Sequence, residues 1–495
     1  MKKLLFILIS ILMIFSCTDE VSIYPEEVED NDIIYTTGQL QVYLENPEIT
    51  TRANTWDYDD YFPNADIYHD DSKQERWRHS VSIAYFDSDF LLEIFNTPEI
   101  TNLTNSTGIA SDIYADNTIL HYSALILGVG SLPITTGAHY FYVLANLPPY
   151  YIDYLEEYCK NRVGELTKDE FEKIILKDHT IEDIAGVELY SNSGDLKRRC
   201  LMTPMTSPAP YYMAPYDLII GSGSYPEVNG VDTKIGKAFA KVAVAYIPLP
   251  EQSKGRLTDV NYRIINDPKE TYLFSNIFKG QVHTPHYEKT IENDDFDAYF
   301  TAYFNPNSHI EKTFPDSTNF SWRAATLTPE DQKNYAYCME NGNKTPLQGN
   351  STMVLVRAQY IPDEWLNPDK TPGTEALDGT FWRIRNTATG AYSSGYYNDE
   401  PLVFGTQEAV RYPGGITYYP IWLETDGKYM VKRNHYYKIA ITEVLSAGAP
   451  DLPSVMDPAK PLGNSVGDNS LETRSAGSEN DLPEIAKCIR WEQNY

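Results

Sequence analysis

Residues 140–146 read Tyr-Phe-Tyr-Val-Leu-Ala-Asn, a nearly continuous apolar run of strand length. A short apolar run that contains aromatic and β-branched side chains is typical of a strand buried on both faces. The run therefore predicts an interior β-strand, and the surrounding sequence supplies candidates for its neighbours.

Strand-length segments recur along the whole chain. They are residues 81–86, 237–247, 260–265, 354–356, 382–384, 416–422 and 436–441. The second of these segments fits a helix or a strand by its pattern, and its β-branched ending favours the strand. With 39 Tyr, 31 Pro and few long helical patterns, the sequence predicts an all-β chain with many turns.

One segment predicts a helix. Thr167 and Glu170 have the spacing of a capping box, and Phe171, Ile174 and Ile175 follow at helical spacing. A short amphipathic helix that covers one face of a sheet is the simplest interpretation.

The composition limits the number of domains and the class of partner. A length of 495 residues predicts two or three domains, and 42% hydrophobic residues suffice for full-sized cores. The polar residues 251–256 mark the expected domain boundary, and the polar residues 311–348 predict a long loop. A formal net charge of −30 argues against binding to nucleic acid or electrostatic attachment to a membrane.

The N-terminus has the pattern of an export signal. Lys2 and Lys3 precede an apolar run over residues 4–16, which is too short to span a bilayer and has the length of a secretory signal. Ser16 and Cys17 end the run, and a small residue before Cys is typical of a bacterial lipoprotein signal. Cys17 is therefore the predicted lipidation site, and an ordinary signal peptide with an incidental cysteine is the alternative.

A strand candidate follows at residues 33–44, which read Ile-Ile-Tyr-Thr-Thr-Gly-Gln-Leu-Gln-Val-Tyr-Leu. Alternation with a period of two places Leu40, Val42 and Leu44 on one face.

A candidate cleavage site lies beyond this strand, in a polar stretch that contains Arg52 and Ala53. An arginine in an exposed polar loop is a substrate for trypsin-like or Arg-specific proteases. An ordinary surface loop is the alternative interpretation.

The C-terminal tail differs in composition from the rest of the chain. Residues 448–483 are rich in Pro, Gly, Ser, Asn and Asp and predict an extended linker, and residues 484–491 predict a final strand. One face of that strand carries Ile485, Lys487, Ile489 and Trp491. A strand at the end of a long linker can reach beyond its own domain.

No segment predicts catalysis or metal binding. The short motifs of serine hydrolases, zinc proteases and P-loop NTPases are all missing, so no enzymatic activity and no cofactor are predicted. His283 and His286 lie near acidic residues, but two histidines in an irregular segment more often bind no metal. The acidic residues 56–71 lack the calcium-loop pattern and are interpreted as a solvated loop.

The cysteines show no metal-binding spacing. Besides Cys17 they are Cys159, Cys200, Cys338 and Cys488. Their positions do not decide between disulfides and thiols, and our interpretation favours mostly free, buried thiols.

Several segments, in a shared order, resemble the fimbrillins, which are the type V pilus subunits of Bacteroides- and Porphyromonas-type bacteria. The closest resemblance is to the shaft subunit of the short fimbria. The segments are the lipoprotein signal, Arg52-Ala53 at the family's protease site, and residues 141–146, 201–205, 338–341, 349–358 and 431–437. The last of these reads Val-Lys-Arg-Asn-His-Tyr-Tyr and is similar to the family's R-N-x-x-Y motif.

The resemblance implies two transthyretin-like β-sandwich domains with a few short helices. The implied organisation is a lipoprotein signal at 1–17, a propeptide at 18–52, domains at 53–252 and 257–447, a linker at 448–483 and a donor strand at 484–495.

The resemblance also implies how the chain would assemble. The precursor would be anchored in the outer membrane only through its lipid, and an Arg-specific gingipain-type protease would cut it between Arg52 and Ala53. The first strand, with Leu40, Val42 and Leu44, would then leave, and the donor strand of another subunit would replace it. The expected product is a cell-surface homopolymer for adhesion and biofilm formation, with anchor subunits, tip subunits and host or bacterial surface ligands as further partners.

Two other functions stay open at this point. The chain could be a lipid-anchored surface protein that binds glycans and is never cut, since abundant Tyr and Trp suit stacking on sugars. It could also be the anchor or the tip subunit of the same pilus.

Overall fold

The computed structural model describes residues 35–36, 39–45, 81–87, 90–97, 122–128, 132–133, 137–177, 188–190, 196–198, 200–204, 211–213, 230–246, 255–291, 295–305, 323–325, 335–463 and 486–494. Within these residues the chain is mostly β-strand, and its helices are short. The all-β fold class expected from the sequence is thereby confirmed.

Thirteen of the strands lie in the N-terminal half of the described chain. They are β1 (Tyr35–Thr36), β2 (Gln39–Glu45), β3 (Val81–Asp87), β4 (Phe90–Thr97), β5 (Tyr122–Gly128), β6 (Leu132–Pro133), β7 (Gly137–Ala145), β8 (Ile175–Leu176), β9 (Glu188–Tyr190), β10 (Leu196–Arg198), β11 (Met202–Pro204), β12 (Tyr211–Met213) and β13 (Gly230–Lys237).

The C-terminal half contributes the remaining strands. They are β14 (Ala240–Tyr246), β15 (Gly255–Ile265), β16 (Thr271–Tyr272), β17 (Ile277–Phe278), β18 (Gln281–Val282), β19 (Arg323–Ala324), β20 (Ala336–Cys338), β21 (Met353–Pro362), β22 (Phe381–Asn386), β23 (Gln407–Tyr412), β24 (Ile416–Trp422), β25 (His435–Val444) and β26 (Ala486–Asn494).

Three α-helices occur in the described part of the chain. They are α1 (Pro149–Lys160), α2 (Lys168–Glu172) and α3 (Phe296–Tyr303). The predicted capping box is present at α2, where the Thr167 side chain accepts from the Glu170 backbone N–H and the Glu170 side chain accepts from the Thr167 backbone. Phe171 is buried as predicted, whereas Ile174 and Ile175 lie beyond the helix end.

The N-terminal half is built on one large sheet. Its strand order is β4-β3-β7-β11-β13-β2-β5, and β12 also pairs with β7. The apolar run that predicts an interior strand forms most of β7, where Phe141 to Ala145 are all buried. Helices α1 and α2 cover one face, because Tyr151, Leu155 and Phe171 share a core with Phe86 and Tyr142.

The C-terminal half is a β-sandwich. One sheet has the order β20-β14-β25-β26 and the other has the order β19-β15-β21-β24. Val242 and Ile439 from the first sheet pack in one core with Tyr262, Val356 and Tyr419 from the second. Burial of both inner faces is the main source of stability of such a sandwich.

The chain passes from the large sheet to the sandwich earlier than the sequence suggests. Strand β13 ends at Lys237 in the large sheet, and β14 begins at Ala240 in the sandwich. We expected the boundary at the polar residues 251–256. They instead lie after β14 and include the start of β15, and these two strands belong to the two sheets of one sandwich. Polar sequence is typical of a connection between strands, and it does not distinguish strands of one domain from strands of two.

The predicted linker also begins later than expected. Leu452, Val455, Met456 and Leu462 are buried, and they share a core with Trp422. Residues 448–463 therefore lie against the sandwich, because these apolar side chains recur within the Pro- and Asp-rich sequence. Residues 464–485 lie outside the described residues.

Candidate functional site

Strand β2, near the N-terminus, occupies an internal position in the large sheet. Strand β2 lies between β13, to which it is parallel, and β5, to which it is antiparallel. Val42 is opposite Val231 on one side and Leu125 on the other. An internal strand has its backbone hydrogen-bonding groups engaged on both sides, so both of its neighbours depend on it for pairing.

Removal of β2 would leave a gap with defined geometry. Among the described strands, β5 pairs with β2 alone, and β13 pairs otherwise only with β11. The loss of β2 would thus free one edge of β13 and separate β5 from the sheet. A free edge presents unpaired N–H and C=O groups, which is a template for the addition of another strand.

The last strand of the chain lies on the sandwich and not in the large sheet. Strand β26 is antiparallel to β25 and forms the edge of its sheet. Within it, Lys487 is opposite Glu443, Ile489 is opposite Ala440 and Trp491 is opposite Lys438. The sequence predicted a strand here, and the structure extends it to Asn494.

The structure places these predicted site residues at two separate positions. Leu40, Val42 and Leu44 lie on β2, whereas Lys487, Ile489 and Trp491 lie on β26. Cys17, Arg52, Ala53 and Ile485 lie outside the described residues, as does the acidic segment 56–71. The donor-strand and cleavage roles of these residues are still predictions.

A buried ion pair joins residues 338–341 to residues 431–437, two motifs that are far apart in the sequence. Arg433 and Glu340 have side chains that are 1% and 2% exposed, and the Arg433 Nη2 lies 2.9 Å from the Glu340 Oε2. The Arg433 Nε donates to the same oxygen at 2.9 Å, and Ser275 Oγ donates to the other carboxylate oxygen at 3.0 Å. In the sequence, Glu340 and Arg433 are one acidic and one basic residue in two polar motifs. Neither motif indicates that the two side chains pair.

The remaining donors of Arg433 connect the sandwich to the large sheet. Its Nη1 donates to the Leu273 carbonyl at 3.0 Å and to Thr203 Oγ1 at 3.3 Å, and Thr203 lies on β11. Its Nη2 donates to the Tyr272 carbonyl at 2.7 Å and to Thr271 Oγ1 at 3.1 Å. A guanidinium can be buried at acceptable cost only when it is paired and its donors are satisfied, as they are here.

A second polar cluster lies next to Glu340. Asn341 exchanges backbone hydrogen bonds with Val431, and its Nδ2 donates to the Asn350 carbonyl at 3.0 Å. The Asn341 Oδ1 lies 3.1 Å from Nε2 of His286, which is buried. Burial lowers the pKa of His286 to about 4, and the hydrogen bond to Asn341 Oδ1, which accepts, opposes this shift. The imidazole is therefore neutral near pH 7.

Of the residues considered for metal binding, His286 is buried as described and His283 stacks on Tyr287 with ring centroids 3.9 Å apart. In the described part of the chain, no group of three or more His, Cys, Asp or Glu residues is arranged to hold a metal ion. Cys159, Cys200 and Cys338 are buried thiols, and burial raises the pKa of Cys159 to about 12.

No helix within the described residues has both the length and the apolar composition needed to cross a bilayer.

Comparison with known proteins gives structural likeness at low identity. No protein-family model matches the sequence, and no curated protein matches it significantly. A fimbrilin (fimA) from Porphyromonas gingivalis is similar at 12% identity and a TM-score of 0.38, over 86% of this chain and 95% of that one.

Two further solved structures show a similar level of likeness. The tip fimbrial protein Mfa3 from Porphyromonas gingivalis is 11% identical with a TM-score of 0.34, over 82% of this chain and 94% of that one. A fimbrial assembly protein from Parabacteroides distasonis is 10% identical with a TM-score of 0.32, over 84% and 92%. None of these similarities assigns a role to an individual residue.

Proposed function

We propose that this chain is a structural subunit of a cell-surface pilus that polymerises by strand exchange. The observation that carries the proposal is the position of β2, which is both near the N-terminus and internal to the large sheet. A strand at that position can be removed by one cut downstream of it, and its removal opens a slot between two strands.

The cut is proposed at Arg52-Ala53, which follows β2 by a few residues. Cutting there would detach β2 together with the lipid on Cys17. A chain could therefore be anchored by its lipid or assembled into a filament, but not both. The precursor would be held at the outer membrane, and the cut subunit would belong to the filament.

The incoming strand is proposed to be residues 484–495 of another subunit. Leu40, Val42 and Leu44 alternate along β2, and Ile485, Ile489 and Trp491 alternate along the tail with Lys487 between them. Each buried large apolar side chain would contribute about 1.5–3 kcal/mol, and each ladder hydrogen bond about 1 kcal/mol net. A contact from the tail of one subunit to the slot of the next does not close, so it produces a filament.

The tail must first leave its own sandwich. Among the described strands, β26 pairs with β25 alone, so its departure would leave the sheet order β20-β14-β25 intact. Exchange thus trades an edge position, bonded on one side, for an internal position bonded on both sides.

The test is whether a free tail peptide binds only the cut subunit. A labelled peptide of residues 484–495 is titrated with the cut chain (residues 53–495) carrying Trp491→Asp, which prevents self-assembly, and with the uncut chain (residues 18–495). We expect saturable binding, measured by fluorescence anisotropy, to the cut chain alone, because β2 fills the slot in the uncut chain. A peptide with Trp491→Asp is the matched control and should bind at least tenfold more weakly. Equal binding to cut and uncut chains, or none to either, would contradict the proposal.

A further inference from the structure

Two exposed patches on the sandwich carry opposite charge, and each is centred on exposed apolar side chains. We define the hairpin patch as residues 277–289 with Lys344 and Lys428, and the outer-loop patch as residues 363–379 and 398–411. We propose that the hairpin patch of one copy of this chain binds the outer-loop patch of another copy. This contact is separate from strand exchange.

The hairpin patch is basic around an apolar centre. Ile277 and Phe278 are exposed at the turn between β17 and β18, and Phe278 is 57% exposed. The Lys279 Nζ lies 5.1 Å from the centroid of the Phe278 ring, and the Lys428 Nζ donates to the Gly280 carbonyl at 3.2 Å. Lysine groups therefore border the exposed apolar surface directly.

The charge of the hairpin patch is opposite to that of the molecule. Its charged side chains are Lys279, Glu288, Lys289, Lys344 and Lys428, which give a net charge of +3 from four cations and one anion. Glu288 forms an ion pair with Lys344, in which the Lys344 Nζ lies 2.6 Å from the Glu288 Oε2. The chain as a whole has a net charge of −30.

The outer-loop patch has the reverse charge. Leu402 and Phe404 are 73% and 74% exposed, and Leu377 is fully exposed on the neighbouring loop. The two loops are joined because the Asn398 Nδ2 donates to the Thr374 carbonyl at 3.1 Å. The exposed charged side chains of the patch are Asp363, Glu364, Asp369, Lys370, Glu375, Asp378, Asp399, Glu400 and Arg411, with a net charge of −5.

The two patches lie at opposite ends of β24. Before the start of that strand, the Gly414 N–H donates to Thr380 Oγ1 at 2.9 Å, next to the outer loops. After its end comes the turn from Thr425 to Lys428, which reaches the hairpin. A strand of seven residues is about 20 Å long, so one copy cannot bring its own two patches together.

In a head-to-tail contact, the hairpin patch of one copy meets the outer-loop patch of another. Exposed aromatic and aliphatic side chains bordered by charge are typical of interaction sites, with the apolar centre supplying affinity and the charges supplying orientation. Two such acidic chains repel each other overall, and a +3 patch that meets a −5 patch supplies a local attraction. Charge complementarity thus selects a second copy as the occupant.

The test measures self-association of the exported chain (residues 18–495) without any Arg-specific protease, so that β2 stays in its slot. Sedimentation velocity at 20 mM and 500 mM NaCl should show reversible association at low salt that is lost at high salt. Lys279→Glu with Lys428→Glu should weaken association about tenfold, and Glu375→Lys with Glu400→Lys should do the same. A chain that carries all four changes should associate again, because the signs are complementary once more.

The controls separate the patches from net charge and from strand exchange. Lys160→Glu with Lys173→Glu makes the same charge change on α1 and just after α2, and it should leave association unchanged. Phe404→Ser should weaken association at 20 mM NaCl, because it removes an exposed apolar side chain without a change of charge. The proposal is overturned if the variant with all four changes fails to regain association. It is also overturned if Lys160→Glu with Lys173→Glu weakens association as much as the patch variants do. Binding of a cationic peptide to the outer loops without association of copies would overturn it as well. Because uncut chains are used, failure here leaves the strand-exchange proposal untouched.

Discussion

Arg433 connects the large sheet and the sandwich through its buried side chain. Its side chain heads the fully buried ones by volume, and its hydrogen bonds reach Thr203, Thr271 and Glu340.

Replacing Arg433 by Met should destabilise the protein by about 3–5 kcal/mol, because it leaves the carboxylate of Glu340 buried without its partner. The free energy of unfolding in urea is the measurement. Lys160→Met, which removes an exposed ion pair with Glu156, is the matched control and should cost less than about 1 kcal/mol. If the two variants lost similar stability, the buried pair would not have the role assigned to it.

His286 should make the stability depend on pH. Its pKa is lowered to about 4 by burial, against an unfolded value of 6.5, so the unfolded chain binds the proton more readily. Stability is therefore unaffected by this group above pH 6.5 and is lost as the pH falls from 6.5 towards 4. The loss at pH 4 amounts to about 3 kcal/mol.

Urea unfolding of the native chain and of His286→Gln across pH 4–7 measures this effect. The fall below pH 6.5 should be smaller in the variant by about that amount, whereas His283→Gln in the same segment should retain it. A His286→Gln variant with an unchanged pH profile would show that another group is responsible.

Of the secondary-structure elements, the sequence predicts those that are fixed by local contacts better than those that depend on distant partners. Helix α2 follows from the Thr167–Glu170 capping box, because both hydrogen bonds are local. Helix α1 was not predicted, although Pro149 is at its start and Tyr151, Leu155 and Cys159 recur at helical spacing. Its tyrosines also suit strands, and only the sheet that buries one side of the helix decides between the two.

Strand positions were predicted well, whereas their partners were not. Residues 416–422 form β24 as expected, but nothing local indicates that β14 pairs with β25 or that β2 enters between β13 and β5. Such pairings join residues far apart in sequence, and the hydrophobic period fixes which face is buried without fixing the neighbour.

Strand β26 should have to leave β25 before a subunit can elongate a filament. Tyr436 is opposite Gln493 across this pair, so cysteines at both positions should form a disulfide that holds β26 in place. With Tyr436→Cys and Gln493→Cys, we expect no elongation under oxidising conditions and recovery after reduction, followed by electron microscopy. Gln493→Cys alone should elongate in both conditions, and elongation by the oxidised double variant would show that β26 need not be released.

At the scale of the whole molecule, the two ends of the chain are placed where exchange between copies is simple. The N-terminal strand is internal to one sheet, and the C-terminal strand is at the edge of another. The cut at Arg52 and the lipid on Cys17 are predictions from the sequence alone, which rest on the signal pattern and on the polar stretch after β2. The packing of Leu452 and Val455 against the sandwich could not be foreseen, because their burial depends on a surface formed by β21 and β24.

The N-terminal residue of the subunit in surface filaments tests the central claim most directly. Filaments sheared from cells are dissociated, and the N-terminus of the chain is read by mass spectrometry. The account predicts Ala53, with no lipid and no β2 sequence in the filament. Chains that begin at a lipidated Cys17 would contradict it, because β2 would still fill the slot, and they would favour an uncut, lipid-anchored protein that binds glycans.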